Sequence, residues 1–560
     1  MPRRFPPPPL AVESGAASRQ EPPCRGRFAR NRRGIPALLI SLALLIAPTA
    51  EASEVGASEA VGVADRDAKV VEQRQKNDGL THTASKVDGA WEVAYFAGLD
   101  QVALVVVDPE TGKVRESWTG HQVLWKMARG YEGAFGHKLN APYVFLPLCV
   151  LFLVGLIDWR RPWRVATLDL LVLLGFGVSN YFFNRAEIGV SVPLVYPVLL
   201  YLLGRVLWIG LRGRGEGLRP VWPAAWLLIA ALFLIGFRVG LNMSDSGVID
   251  VGYAGVVGAD RITHGEPVYD NFPPDVSQGD TYGPTNYLAY VPTELIWPWQ
   301  GEWDDLPAAH GATVAFDLAT FALLIWLGLR IRPGPAGRKL AATLAFGWAA
   351  YPYTAYALES NSNDTLVGAF LVAALLTLTR PAARGVFAAL ATLTKFAPIV
   401  LTPMLATYRA RPRTTALFVA AFLATAALLL LWPAIDPGLR TVYDRTIAYQ
   451  SDRDSPFSIW GQVSSLEPLR ITILIGVGAL AISFAFWPKR KTLVQVAALS
   501  AALLIGLQLT AQHWFYLYIV WFYPLLLVAM ASLENTGKRR QSASRSGVPA
   551  NDPRREAAPT

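Results

Sequence analysis

The sequence predicts an α-helical polytopic membrane protein that carries a small α+β domain outside the bilayer. Of its 560 residues 52% are hydrophobic and 17% charged, and mean hydropathy is +0.31; an ordinary soluble chain is less apolar. The apolar residues fall in runs of about twenty, the length that crosses a hydrocarbon core. The Lys and Arg that make the chain +9 gather in short clusters between those runs and in both tails. That is the positive-inside pattern of a membrane protein and not the basic face of a nucleic-acid binder. Cys24 and Cys149 are the only cysteines, which excludes a disulfide framework and a cysteine metal site.

Residues 1–34, rich in Pro, Arg and Ala, read as a disordered cytoplasmic lead. The apolar core 35–47 and the small residues Thr49-Ala50-Glu51-Ala52-Ser53 make 1–52 a signal peptide, or an anchor if uncleaved. In either case the chain emerges on the outer side of the membrane. Residues 53–140 form a small extracytoplasmic domain: 65–77 has helical composition, 91–97 and 101–107 are strand-like, and Asp108-Pro109-Glu110-Thr111-Gly112 turns the chain into 113–119. A helix followed by such a hairpin resembles PepSY-like modules, and it offers a packing or partner-binding surface for another protein.

Crossings are expected at 141–157, 166–183 and 190–211, the additional helices of the 141–221 segment. The main membrane domain, 222–532, supplies 222–240, 311–331, 340–358, 365–378, 414–433, 471–486, 493–510 and 514–531. The basic clusters Arg160-Arg161-Arg164, Arg212-Arg214-Arg219, Arg330-Arg332-Arg338-Lys339, Arg380-Arg384 and Lys489-Arg490-Lys491 belong on the cytoplasmic side, as does the basic tail 533–560 with Lys538-Arg539-Arg540. Residues 385–408 break the alternation, because they lie between two basic clusters and hold Lys395, Pro398 and Pro403. A re-entrant pair of half-helices resolves this, and backbone of that kind is tolerated only beside protein or a wet cavity. About 11–12 membrane helices plus the re-entrant element result, with the C-terminus cytoplasmic.

The segment 241–310 inverts the charge of the chain, with eleven carboxylates against the single Arg261. It is expected as an external loop, with a second at 434–469. The aromatic residues Trp297, Trp299 and Trp303 suit the bilayer surface, where a substrate that is half lipid fits. Asp245 and Asp250 lie just past a crossing, near the headgroup plane, where a partly desolvated carboxylate serves as a general base. Arg261, Arg440, Arg445, Arg453, Lys395 and His513 are the candidate cationic partners for a phosphate. Lys395 at membrane depth calls for a paired, functional or structural role. No Asp-x-Asp pair or His cluster has metal-ligand spacing, so no divalent metal is expected.

The run from Val248 through Asp250, Tyr253, Gly265 and Tyr269, followed by Asp280-Thr-Tyr282-Gly-Pro284, resembles the first external loop of glycosyltransferase family 87. These are mannosyltransferases of the GT-C superfamily that elongate phosphatidylinositol mannosides. Ser362-Asn363, Lys395-Phe-Ala-Pro398, Gln450-Ser451 and Gln512-His513-Trp514 extend the likeness over roughly 222–532. The Gly-Gln before the family's Asn and the first Pro of its Tyr-Pro-Pro are absent. The resemblance implies a GT-C-like fold and a cell-membrane hexosyl- or mannosyltransferase that takes its sugar from a polyprenyl-phosphate carrier and passes it to an extracytoplasmic glycolipid or glycan. It implies Asp250 as the base with Asp245 beside it, and substrate contacts from Tyr253, Arg261, Tyr269, Asp280, Tyr282, Asn363, Lys395, Arg445, Gln450 and His513. No cofactor is implied, since a lipid phosphate leaves as a stable anion and needs no general acid. A flippase for a lipid-linked saccharide, or an accessory subunit without catalysis, are the rival readings. The flippase is disfavoured by acids gathered in one segment and by the lack of internal repeats.

Overall fold

The computed structural model describes residues 54–87, 89–98, 100–130, 136–451 and 455–533; the expected signal segment, Arg453 and the basic tail lie outside them. Helices Ala57–Ala64 and Ala68–Lys76 pack on a four-stranded antiparallel meander of β1 (Thr81–Val87), β2 (Ala90–Ala97), β3 (Asp100–Val107) and β4 (Val114–Thr119). Alternation of small and β-branched residues puts Val93 and Tyr95 of β2 with Val105 and Val107 of β3 under the helices. The expected helix, strands and turn are found. Ala57–Ala64 and β1 were not expected: the first is short and Gly-interrupted, and the second is exposed and polar, so neither carries a strong apolar period.

Among the described residues six helices are long and apolar enough to cross a membrane: Val165–Phe183, Ile188–Arg212, Ala224–Ser244, Pro307–Ile331, Pro412–Ala448 and Ser464–Phe486. Shorter apolar helices include Pro142–Leu156, Asp364–Leu376, Leu493–Leu509 and Tyr516–Ser532. The chain is a multi-pass membrane protein. The crossing expected at 340–358 is in fact two helices, Gly334–Ala350 and Pro352–Glu359. Pro352 has no N–H to donate and holds Tyr351 in extended backbone, so the ladder stops between them. The re-entrant expectation has its counterpart: helix Pro381–Thr392 ends before Lys395, and the chain continues as a 3₁₀ turn Ala397–Leu401 and a short helix Thr402–Ala406.

The acidic segment is not the open loop expected. It folds into a buried helix Asp250–Thr263 and a second helix Pro284–Glu294. Its glycines explain why composition misled. A Cβ at Gly255 would overlap the Tyr290 ring and one at Gly258 the Tyr287 ring, so these positions let two helices touch where large side chains would part them. The pairing of Gly255 with Tyr290 and Gly258 with Tyr287 makes the helices antiparallel.

Charge is segregated along the bundle. Arg164 donates to Gly217 O, Lys339 to Trp222 O and Arg332 to Ser532 O, which gathers the basic connections at one end. The opposite end gathers the acidic segment, the 359–363 turn and the linker from the N-terminal domain, tied there by Lys138 to Asp245 (3.1 Å) and Gln122 to Ala186 O (2.9 Å).

Candidate functional site

At the acidic end, five stretches of chain enclose a cavity of about 460 Å³, within the usual range for small-molecule sites. Tyr282 enters from the turn before Pro284–Glu294 and Lys395 from the broken segment. Gln450 enters from the 434–469 stretch, Arg470 from helix Glu467–Phe486, and His513 with Gln512 from the turn after Leu493–Leu509. Among the described residues the lining includes no carboxylate, and Leu474, Leu507, Tyr518 and Trp521 supply apolar and aromatic walls.

Lys395 is the centre of this wall. Its ammonium donates to Asp364 Oδ1 at 2.5 Å and lies within 5.5 Å of the ring centres of Tyr282, Tyr518 and Trp521. Trp521 Nε1 donates to the same oxygen at 2.7 Å, whereas Asp364 Oδ2 accepts no hydrogen bond. The residues before Pro398 end one helix and its ring begins the next turn, so the lysine is delivered at a helix end. Arg470 is held by Glu467 (2.5 and 2.7 Å) at the start of its helix. His513 Nδ1 lies 2.8 Å from Ser455 Oγ, among the rings of Trp125, Phe457 and Tyr518. Trp125 belongs to the linker from the N-terminal domain, so that linker forms part of the surroundings of the site.

Below the cavity, Asp280 is fully buried and takes a two-point clasp from Arg445: Nε to Oδ2 at 2.6 Å and Nη2 to Oδ1 at 2.8 Å. The Asp270 amide adds a third bond at 2.7 Å. The clasp ties the acidic segment 241–310 to the 434–469 stretch, across more than a hundred residues of sequence, and holds the Thr281–Tyr282 wall. Removing one member of a buried pair strands the other charge, so Arg445→Ala is expected to cost about 3–5 kcal/mol. A chemical denaturation midpoint is the measurement; an unchanged midpoint would mean the pair does not hold the two stretches together.

Other candidates stand apart from the cavity. Tyr269 is buried and donates to Tyr282 O at 3.0 Å, supporting the wall from behind. Asn363 is buried and donates to Asn286 Oδ1 at 2.6 Å. Tyr253 is buried against Trp303 and donates to Asp275 at 3.1 Å, and Arg261 pairs with Glu266 at 2.5 Å. Asp245 is paired with Lys138, which with His137 holds its carboxyl below the ordinary carboxylate value.

Asp250 is exposed at the first position of helix Asp250–Thr263, where Oδ1 accepts from the Val251 amide at 2.9 Å. The antiparallel pairing sets Asp250 level with the far end of Pro284–Glu294, about 15 Å along that helix from Tyr282. Its neighbour is the 359–363 turn, through Ile249 N to Ser360 O at 3.0 Å, and that turn runs directly into Asp364. A Cβ at Gly252 would stand 2.2 Å from Asn361 O. Gly252→Ala is therefore expected to push the Asp250 helix off this turn, with a stability loss of about 1–3 kcal/mol. A thermal shift read together with turnover measures it, and an unshifted protein of normal turnover would show that the contact positions nothing.

Arg470, Gln512 and Trp521 were not singled out from the sequence as site residues. Arg470 sits at the boundary of an apolar run, the ordinary place for an interfacial anchor, and Trp521 lies inside the 514–531 run, where one more aromatic residue carries no signal. Gln512 carried a signal only as the neighbour of His513. Among the described residues no group of His, Cys, Asp and Glu is arranged to hold a metal ion.

Residues 281–511 match the model of glycosyltransferase family 87, an interval that contains almost every stretch lining the cavity. No curated protein and no solved structure matches the chain. The family match and the spanning helices together support a membrane glycosyltransferase.

Proposed function

We propose that this membrane protein, whose residues 281–511 carry the glycosyltransferase family 87 pattern, moves a hexosyl unit, mannosyl in the first instance, from a polyprenyl-phosphate carrier to a glycolipid or glycan acceptor outside the cytoplasm. One observation carries this reading. The 460 Å³ cavity presents Lys395, Arg470 and His513 with no lining carboxylate among the described residues, and opens beside apolar walls. A lipid phosphate needs that combination: cations for the anion and hydrocarbon for the first isoprene units.

In this mechanism the acceptor hydroxyl oxygen attacks the anomeric carbon as the bond from that carbon to the carrier phosphate breaks. The phosphate departs with the electron pair, held by Lys395 and Arg470, and the hydroxyl proton passes to Asp250, which bound donor and acceptor must draw toward the cavity from its position about 15 Å along the helix. Displacement from the face opposite the phosphate inverts the anomeric centre. The acceptor approaches along the 359–363 turn, from the Asp250 side. Asp364 is a positioning residue, the counter-charge that keeps Lys395 in its ring of aromatic side chains. The Trp125 linker offers a route by which a partner bound to the N-terminal domain is felt at the site.

Purified full-length protein with radiolabelled polyprenyl-phosphate mannose and a membrane lipid extract tests the proposal. Label is expected in an acceptor lipid or glycan, at an undiminished rate in the presence of a chelator, since the leaving group needs no metal. Movement of intact carrier across the bilayer without transfer would make the protein a flippase. Neither activity would leave it an accessory subunit.

A further inference from the structure

At the opposite end of the bundle lies a second cavity, of about 930 Å³. Helix Leu493–Leu509, 17 residues long, begins at this cavity and ends at the first, which separates the two by about 24 Å. The helix Asp364–Leu376 connects them in the same way, with Asp364 at Lys395 and Leu376 here. Arg330, Arg409, Arg411, Lys489, Arg490 and Lys491 line this second cavity, and among the described residues no acidic one does. Among the described residues none of these six cations forms an ion pair with a carboxylate. Lys491 is only 9% exposed. Burial lowers its affinity for a proton, the expected response of an ammonium taken from water without a counter-ion.

A topogenic basic cluster needs only to face the cytoplasm and stay in water. This one is concave, and its back wall is apolar: Leu327, Ile331, Leu376 and Leu493. Phe486 and Trp487, both more than half exposed, flank it where helix Glu467–Phe486 ends, the position aromatic residues take at the headgroup boundary. A basic pocket between membrane helices at that depth suits a phosphate-bearing lipid headgroup, with the acyl chains on the apolar wall.

We infer that this cavity is a binding site for an anionic phospholipid, with cations enough for two phosphates. The inference is independent of the proposed transfer reaction, since the site lies at the other end of the bundle.

The test uses purified full-length protein and fluorescent cardiolipin as the two-phosphate probe. Cardiolipin is expected to bind at least about tenfold more tightly than phosphatidylcholine. Each cation removed is expected to weaken it about fivefold, so Arg490→Gln with Lys491→Gln loses about 25-fold. Lys491→Arg is expected to retain binding. If the Lys491 variant does not fold, Lys489→Gln with Arg490→Gln, both at exposed positions, carries the same expectation. Equal binding of the two lipids, or unchanged affinity in the double variants, would overturn the inference. So would soluble glycerophosphate that binds as tightly as cardiolipin, because the ligand would then be a free phosphate.

Discussion

Asp250→Asn is expected to lower kcat for sugar transfer by about 10²–10⁴-fold, the usual worth of a positioned general base, with little effect on folding. The two consequences separate because the residue is exposed at a helix start. Asn keeps the Oδ1 acceptor that meets the Val251 amide and gives up the favourable placement of an anion at a helix N-terminus, about 0.3–1 kcal/mol. A kcat collapse at unchanged KM for the carrier and unchanged melting temperature would place Asp250 in the proton transfer. Near-normal turnover would remove it and direct attention to Asp364, whose Oδ2 is left without a donor.

The Lys395–Asp364 pair carries the second large expectation. Both side chains are nearly inaccessible, at 8% and 0%, so a single change strands a buried charge. Asp364→Asn and Lys395→Met are each expected to destabilise by about 3–5 kcal/mol. The double variant carries no stranded charge and should recover much of that loss, giving a coupling energy of about 2 kcal/mol or more. Function should behave differently: the double variant folds but has lost the cation facing the cavity, so its KM for the carrier stays high. Additive stability losses would mean that the two groups do not act as a pair. A double variant with normal KM would exclude Lys395 from the carrier site.

These expectations differ in how much of their basis could be read from residues alone. Lys395 was conspicuous in sequence because a charge within an apolar, proline-broken run is costly unless it is paired, but its partner was not, since Asp364 lies 31 residues earlier and reads as a loop acid beside Asn363. Asp280 and Arg445, likewise, were each legible as polar residues of separate loops, and only folding makes them one clasp. Tyr269 and Asn363 carry the family-like spacing, yet their side chains point into packing. Spacing along a chain reports neighbours in sequence and says nothing of which way a buried ring turns.

Residue order alone establishes the membrane class, the number of apolar segments to within a broken helix, the place of the re-entrant element and the opposition of acidic and basic connections. All of these come from hydropathy summed over local windows, and local sums survive without knowledge of the fold. Packing was needed to make the acidic stretch two buried helices, to bring Tyr282, Lys395, Gln450 and His513 to one cavity that Asp250 does not line, and to set Lys489-Arg490-Lys491 with Arg409 and Arg411 around a second. Those facts depend on contacts between segments tens to hundreds of residues apart, and glycine-to-ring approaches such as Gly258 on Tyr287 set them.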